Sequence, residues 1–215
     1  MIPPFTSISC WSLPRVLRAV LMWGVLAAAV CVPVIAAASS PLLQWRDPIY
    51  IFAGLAGVVG MALLLMQPLL IAGALPGLSQ ANARRLHRAT GALLLLAVAG
   101  HVVGLWITSP PDVIDVLLLR SPTPFAIWGA LAMWAVFAAG LLAVLRPRLP
   151  LRAWRWGHTA AVSLAVLGTV VHALQIVGTM EMISKTALSV LVLAALAWAI
   201  ARRRVWSMGL RPRRP

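Results

Sequence analysis

The sequence predicts an all-α integral membrane protein, a six-helix bundle in a single domain, and three observations carry that prediction. The 215 residues are 62% hydrophobic and only 10% charged, with a mean hydropathy of +0.96, which is too little charged surface for a soluble domain of this size. The apolar residues gather into six runs of about 20, the length that crosses a bilayer. The basic residues fall in alternate gaps between those runs. The formal net charge of +14 therefore reads as a topology signal, not as a nucleic-acid surface.

The six runs cover 16–38, 49–71, 87–107, 123–145, 156–178 and 185–201. The first follows Arg15 and Arg18 and ends at Ala36-Ala37-Ala38-Ser39, a small-residue pattern shared with signal peptides. At about 20 residues it exceeds an ordinary signal h-region, and it is expected to stay as a span. Cys10 and Cys31 form neither a CxxC pair nor a metal spacing and read as inert thiols. In the second run Gly54, Gly57 and Gly60 read as close-packing positions. In the fourth, Trp134 and Phe137 read as core packing. The connections, such as GALPGLSQ, TSPPD, RSPTP and RPRLP, are short and rich in turn formers, and none has room for a second domain. After the sixth run come RRRVWSMGLRPRRP and no GxGxxG, so no soluble flavin or nicotinamide domain is expected within residues 1–215.

Fifteen of the eighteen basic residues lie on one side of this arrangement. Arg46, Arg120 and Lys185 lie on the other, with all four acids, Asp47, Asp112, Asp115 and Glu181. The positive-inside rule places both termini in the cytoplasm. The expected location is the inner (plasma) membrane of a bacterium.

The chemistry concentrates in four histidines. His87 and His101 lie fourteen residues apart in the third run, and His158 and His172 lie fourteen apart in the fifth; the chain has no others. Imidazoles inside membrane spans are costly and read as functional. Fourteen helical residues turn through about 1400° and rise about 21 Å, so each pair leaves one face near opposite sides of a core about 30 Å thick. The third and fifth spans are parallel, which puts His87 level with His158 near the cytoplasm and His101 level with His172 near the outer face. Facing imidazoles suit the two axial positions of a haem iron. Two such pairs predict two b-type haems stacked between the third and fifth spans, held without a CxxCH attachment. Gly100, Gly104, Gly157 and Gly168 beside the histidines are expected to let a flat macrocycle approach. Arg84 and Arg155, each three residues before an inner histidine, read either as partners of haem propionates or as plain topology charges. Outer-propionate candidates are Arg46, Arg120 and Lys185. A metal-ion transporter would instead gather its histidines at one depth with intramembrane acids, and no acid lies inside a span.

RRLHRATGALLLLAVAGH and RWGHTAAVSLAVLGTVVH resemble the ferric reductase-like transmembrane domain. That family includes the haem domains of yeast ferric reductases and NADPH oxidases and the bacterial haem subunit that serves a periplasmic methionine sulfoxide reductase. The resemblance covers roughly 48–200. It implies a six-helix bundle with b-type haem, transmembrane electron transfer, and His87, His101, His158 and His172 as axial ligands. One departure concerns the electron source. Ferric reductases and oxidases continue into a cytoplasmic flavin and nicotinamide domain, which is not expected here. The small bacterial haem subunits also lack it, but they typically keep fewer of the four histidines. The expectation is a haem-bearing oxidoreductase subunit that draws electrons from a separate flavoprotein or membrane quinol. Any flavin would be held by that partner. The acceptor would be ferric iron or a periplasmic redox enzyme at the outer face. Two alternatives stand beside it: a quinone-reactive cytochrome b of a respiratory complex, although no Pro-Glu-Trp-Tyr-like motif is present, and a haem-free transporter or scaffold.

Overall fold

The computed structural model describes residues 15–203, and among them every regular element is helical. Seven α-helices follow one another: α1 (Arg15–Ala38), α2 (Pro48–Ala72), α3 (Gln80–Thr108), α4 (Pro110–Leu117), α5 (Pro124–Leu145), α6 (Leu151–Gln175) and α7 (Met182–Arg203). All but α4 are long and apolar enough to cross a membrane. Cys10, Arg204, Arg211, Arg213 and Arg214 lie outside the described residues.

Local chemistry sets the helix ends. Asp47 caps α2, its carboxylate accepting from the Ile49 N–H at 2.7 Å and the Tyr50 N–H at 3.4 Å, with Pro48 at the first position. Gly73 ends α2 in the left-handed region, at φ +67°, where a side chain would be strained. Ser79 caps α3 by accepting from the Asn82 N–H at 3.2 Å. The Glu181 carboxylate starts α7, accepting from the Ile183 and Ser184 N–H groups at 2.6 and 2.7 Å. Hydrogen bonds from the Ser184 hydroxyl and backbone hold the Glu181 carboxyl below its ordinary pKa.

Several boundaries differ from the sequence-based expectation; α6, for one, begins at Leu151, five residues before the predicted 156. α3 begins at Gln80, two turns before the predicted 87, because the polar QANARR segment is helical behind its Ser79 cap although not apolar. The segment around TSPPD is not simply a loop. Pro110 and Pro111 open the short helix α4, which buries Val113.

The long helices form two antiparallel hairpins, α2 on α3 and α5 on α6. α7 packs against α2 and α6, and α1 lies outside against α2 and α7. Leu64, Leu70, Val166, Leu188 and Val192 meet in the core between them. Trp134 is 57% exposed, so it stands on the perimeter and does not pack in the core as expected.

The glycines beside the histidines also serve a different purpose from the one expected. A Cβ on Gly104 would lie 2.8 Å from the Ala53 Cβ, and one on Gly168 would lie 3.0 Å from the Trp128 carbonyl oxygen. A Cβ on Gly100 would meet the Phe52 ring at 3.4 Å and one on Gly157 would meet Leu142 at 3.5 Å, ordinary packing distances. All four seat α3 on α2 or α6 on α5, and none opens onto a space for a macrocycle. In a membrane, close approach of helices is a main source of association. Gly104→Val should therefore lower the free energy of unfolding by about 1–3 kcal/mol through overpacking. Gly24→Ala, whose added methyl meets nothing within 4 Å, should raise it by up to about 1 kcal/mol. Thermal unfolding in detergent micelles measures both.

Candidate functional site

Each histidine is held through Nδ1 by the neighbouring helix of its hairpin. His101 Nδ1–H donates to the Ala53 carbonyl at 2.7 Å, His172 Nδ1–H to the Phe125 carbonyl at 2.9 Å, and His158 Nδ1–H to the Ala139 carbonyl at 3.2 Å. A carbonyl oxygen can only accept, so Nδ1 carries the proton in all three. In a neutral ring, Nε2 is then the bare lone pair. This is the arrangement in which an imidazole binds a metal while its other nitrogen is fixed by a second hydrogen bond.

His87 is the variation. Its Nδ1 faces the side-chain amide of Gln67, which is buried on α2, at 2.8 Å. The other end of that amide lies 2.8 Å from Thr90 Oγ1, and the Thr90 hydroxyl donates to the Leu86 carbonyl at 2.7 Å. The donors run in one direction: His87 Nδ1–H to Gln67 Oε1, Gln67 Nε2–H to Thr90, Thr90 O–H to Leu86. In that orientation of the amide, His87 takes the tautomer of the other three. The reversed amide would donate to His87 Nδ1 at 2.8 Å and to the His87 carbonyl at 3.3 Å and accept from the Gly91 N–H at 3.2 Å and Thr90 Oγ1 at 2.8 Å, with the opposite tautomer at this one ring.

The structure brings His101 and His172 together, as expected of the outer pair. The His101 and His172 rings have centroids 6.4 Å apart with planes at 78°. Two ring nitrogens bound to one metal at about 2.0–2.1 Å each, plus about 1.1 Å from nitrogen to ring centre on each side, place axial imidazole centres about 6.2–6.4 Å apart. The observed centroid spacing falls within that range. Both rings line a cavity of about 490 Å³, within the range of cofactor sites. A Cβ on Gly57 would lie 3.0 Å from His101 Nδ1, and one on Gly129 would lie 2.8 Å from His172 Nδ1. Each ring thus occupies the space of an absent side chain. Of the three glycines read as packing positions on α2, Gly54 meets Thr179 and Gly60 meets Leu94, while Gly57 meets an imidazole.

At the arginine-rich end, α3 carries His87 and α6 carries His158, both half-buried. Trp154 stacks on the His158 ring, with centroids 5.4 Å apart and planes at 14°, and its Nε1–H donates to the Leu142 carbonyl at 2.9 Å. The Arg146 guanidinium lies 5.3 Å over the Trp154 ring. Arg84 is exposed on the first turns of α3, and Arg155 is half-buried on α6. Among the described residues no three of His, Cys, Asp or Glu converge on a point, so each site offers two nitrogens and not a cage.

Gln67 and Gly129 were not singled out in the sequence. Both carry a signal. Gln67 is the sole amide in the apolar run of α2, and a polar group there calls for a partner. Gly129 stands four residues after Phe125 as Gly57 stands four after Ala53. Gln67→Leu leaves the His87 Nδ1–H unpaired and should cost about 1–3 kcal/mol of stability. The double variant Gln67→Leu with His87→Leu should recover part of that loss, because both partners are gone. Equilibrium unfolding of the three variants measures the coupling, and purely additive losses would contradict the bond.

A comparison with protein families matches the model described as "Ferric reductase like transmembrane component" to residues 53–169, more than half of the chain. The matched stretch includes His87, His101 and His158 and ends three residues before His172. Neither curated proteins nor solved structures give a match. With that family match over the paired-histidine hairpins, the chain belongs to the ferric reductase-like transmembrane component family.

Proposed function

We propose that this protein is a di-haem b transmembrane electron carrier that takes electrons at its arginine-rich end and delivers them at the opposite one. The observation that carries this reading is the His101–His172 pair: centroids 6.4 Å apart, each Nδ1 committed to a carbonyl, each Nε2 left bare. Two nitrogens are too few for a closed site around a bare ion, but they are what a macrocycle leaves open on its iron. A haem held between two such imidazoles supplies one-electron chemistry with no vacant iron position for O₂.

The chain's own residues have defined tasks. His101 and His172 would hold the outer haem, and His87 and His158 the inner one. Ala53, Phe125 and Ala139 orient three of the rings through their carbonyls, and Gln67 orients the fourth. Trp154 fixes the plane of His158. Arg84 and Arg155 would face the propionates of the inner haem. The apolar spans keep water from the path between the pairs, about 21 Å along the helices. The basic cytoplasmic face suits a separate flavoprotein, with a membrane quinol as the other possible donor. Ferric iron or a periplasmic redox enzyme would accept at the outer face.

A pyridine haemochrome assay on the purified chain should give about two haems per polypeptide, one for each imidazole pair. A value near zero ends the reading, and a value near one removes one pair from it. Replacing His101 or His172 with Ala should abolish the same spectral species, and replacing His87 or His158 should abolish the other. A stable His87 variant that groups with His172 would overturn the pairing. Without the outer haem, the inner one should still be reduced by the donor while an external acceptor is not.

Both termini should face the cytoplasm, as the distribution of arginines requires. A C-terminal alkaline phosphatase fusion should be inactive and a C-terminal fluorescent fusion bright. The reverse result would exchange the donor and acceptor faces.

A further inference from the structure

Lys185, the single lysine of the chain, sits where a cation is expensive. It is 3% exposed near the start of α7, and it lines the cavity that also exposes His101 and His172. Its ammonium has three N–H donors. One goes to the Ile176 carbonyl, just past the end of α6, at 2.6 Å. The carboxylate that acts on it electrostatically is Glu181, whose oxygens are engaged by the N–H groups of Ile183 and Ser184. Asp112 also borders the cavity, but it is exposed and belongs to the first turn of α4, where the helix end favours an acid. The other basic residues at this end are at the surface. Arg46 is exposed over the Tyr50 ring at 5.3 Å, and Arg120 is exposed after α4.

A buried cation without a close counter-charge is strongly disfavoured. A carbonyl cap on α6 does not need a charge, because a neutral donor would serve it. We infer that Lys185 is the cationic half of a carboxylate-binding site in this cavity. The carboxylate has two possible sources, a propionate of the outer haem or a carboxylate-bearing acceptor, such as a ferric carboxylate chelate, that enters from outside. The first source rests on the function proposed above; the second needs only the cavity.

The test uses the full-length chain in nanodiscs, as wild type, Lys185→Arg and Lys185→Met, each loaded with haem or with haem dimethyl ester. The measurements are the rate of haem loss from the His101/His172 site to apomyoglobin, its midpoint potential, and the apparent affinity for ferric citrate as acceptor. With a propionate as partner, Lys185→Met should lose haem about tenfold faster or more, the loss of one charge-assisted hydrogen bond, and lower the potential. Lys185→Arg should stay close to wild type. Esterification should speed haem loss from wild type as Lys185→Met does and add nothing further to the loss in Lys185→Met, while it shifts the potential upward, the opposite direction. A merely structural lysine would weaken haem and ester retention equally. With an external carboxylate, haem retention stays unchanged and the affinity for ferric citrate falls in Lys185→Met but not in Lys185→Arg. Equal haem retention, potential and citrate affinity in wild type and Lys185→Met, or equal weakening of haem and ester with citrate affinity unchanged, overturns the inference. A wild type that takes up no haem removes the haem reading; the carboxylate site then stands only if citrate raises the melting temperature of wild type and not of Lys185→Met.

Discussion

A polar hydrogen inside a bilayer has no water to fall back on, and each imidazole here must place one. That constraint organises the site. A helical carbonyl already accepts the N–H four residues on, but its oxygen has a second lone pair, and the histidines use it. His101 reaches across to Ala53 on α2, and His172 to Phe125 on α5. Reaching a main-chain oxygen inside another helix requires that nothing stand over it. Gly57 and Gly129 meet that requirement. The bond to Nδ1 then decides which nitrogen is free, and the hairpin packing decides where it lies. Tautomer, ring plane and pairing all follow from the one hydrogen bond.

The two hairpins turn out to be one design used twice. Ala53 and Gln67, the partners on α2, are fourteen residues apart, as are Phe125 and Ala139 on α5. The histidines they hold share that spacing. The glycine under the ring repeats as well, four residues after the accepting carbonyl in each case. The repeat fails at one place: Gln67 offers a side-chain amide where Ala139 offers its backbone. An amide on a side chain can be removed by a single substitution without disturbing the helix, so the His87 site is the one whose second hydrogen bond is open to adjustment by sequence. The remaining helices support this unit. α7 closes the core against α2 and α6, α1 covers the outside, and α4 borders the cavity beside His101 and His172.

The histidine constellation was legible because helical geometry is rigid and polar residues in these spans are few. Four imidazoles at equal spacing on two parallel runs leave little freedom in how they pair. The element count was legible for the same reason, since bilayer thickness fixes the length of an apolar run. What was not legible depends on neighbours. Nothing in one helix tells which side of a glycine another helix will occupy, so Gly104 and Gly168 looked like open space and are contact points. α4, with eight residues, is too short to register as a span, and its two prolines read equally well as a turn. Trp134 shows the inverse problem. In a soluble protein a mid-helix tryptophan would be sought in the core, but a membrane protein presents apolar surface outward as well as inward, and hydropathy does not separate the two faces.

The spacing of fourteen also explains why the sites are finished so differently at their two ends. Two histidines about 21 Å apart along a helix, centred in a core about 30 Å thick, would leave each pair only about 4–5 Å inside its own edge. Each pair is deep enough that its Nδ1 protons need protein partners and shallow enough for side chains from the end of the bundle to reach it. At the arginine-rich end the reach is aromatic: Arg146 lies over Trp154, and Trp154 lies against His158. At the opposite end it is a cation: Lys185, in the first turn of α7, borders the same cavity as His172 and is itself tied to the end of α6. A shorter spacing would bury both pairs beyond such contact, and a longer one would bring the imidazoles into water, where neither the tautomer nor the ring plane would be fixed by the fold.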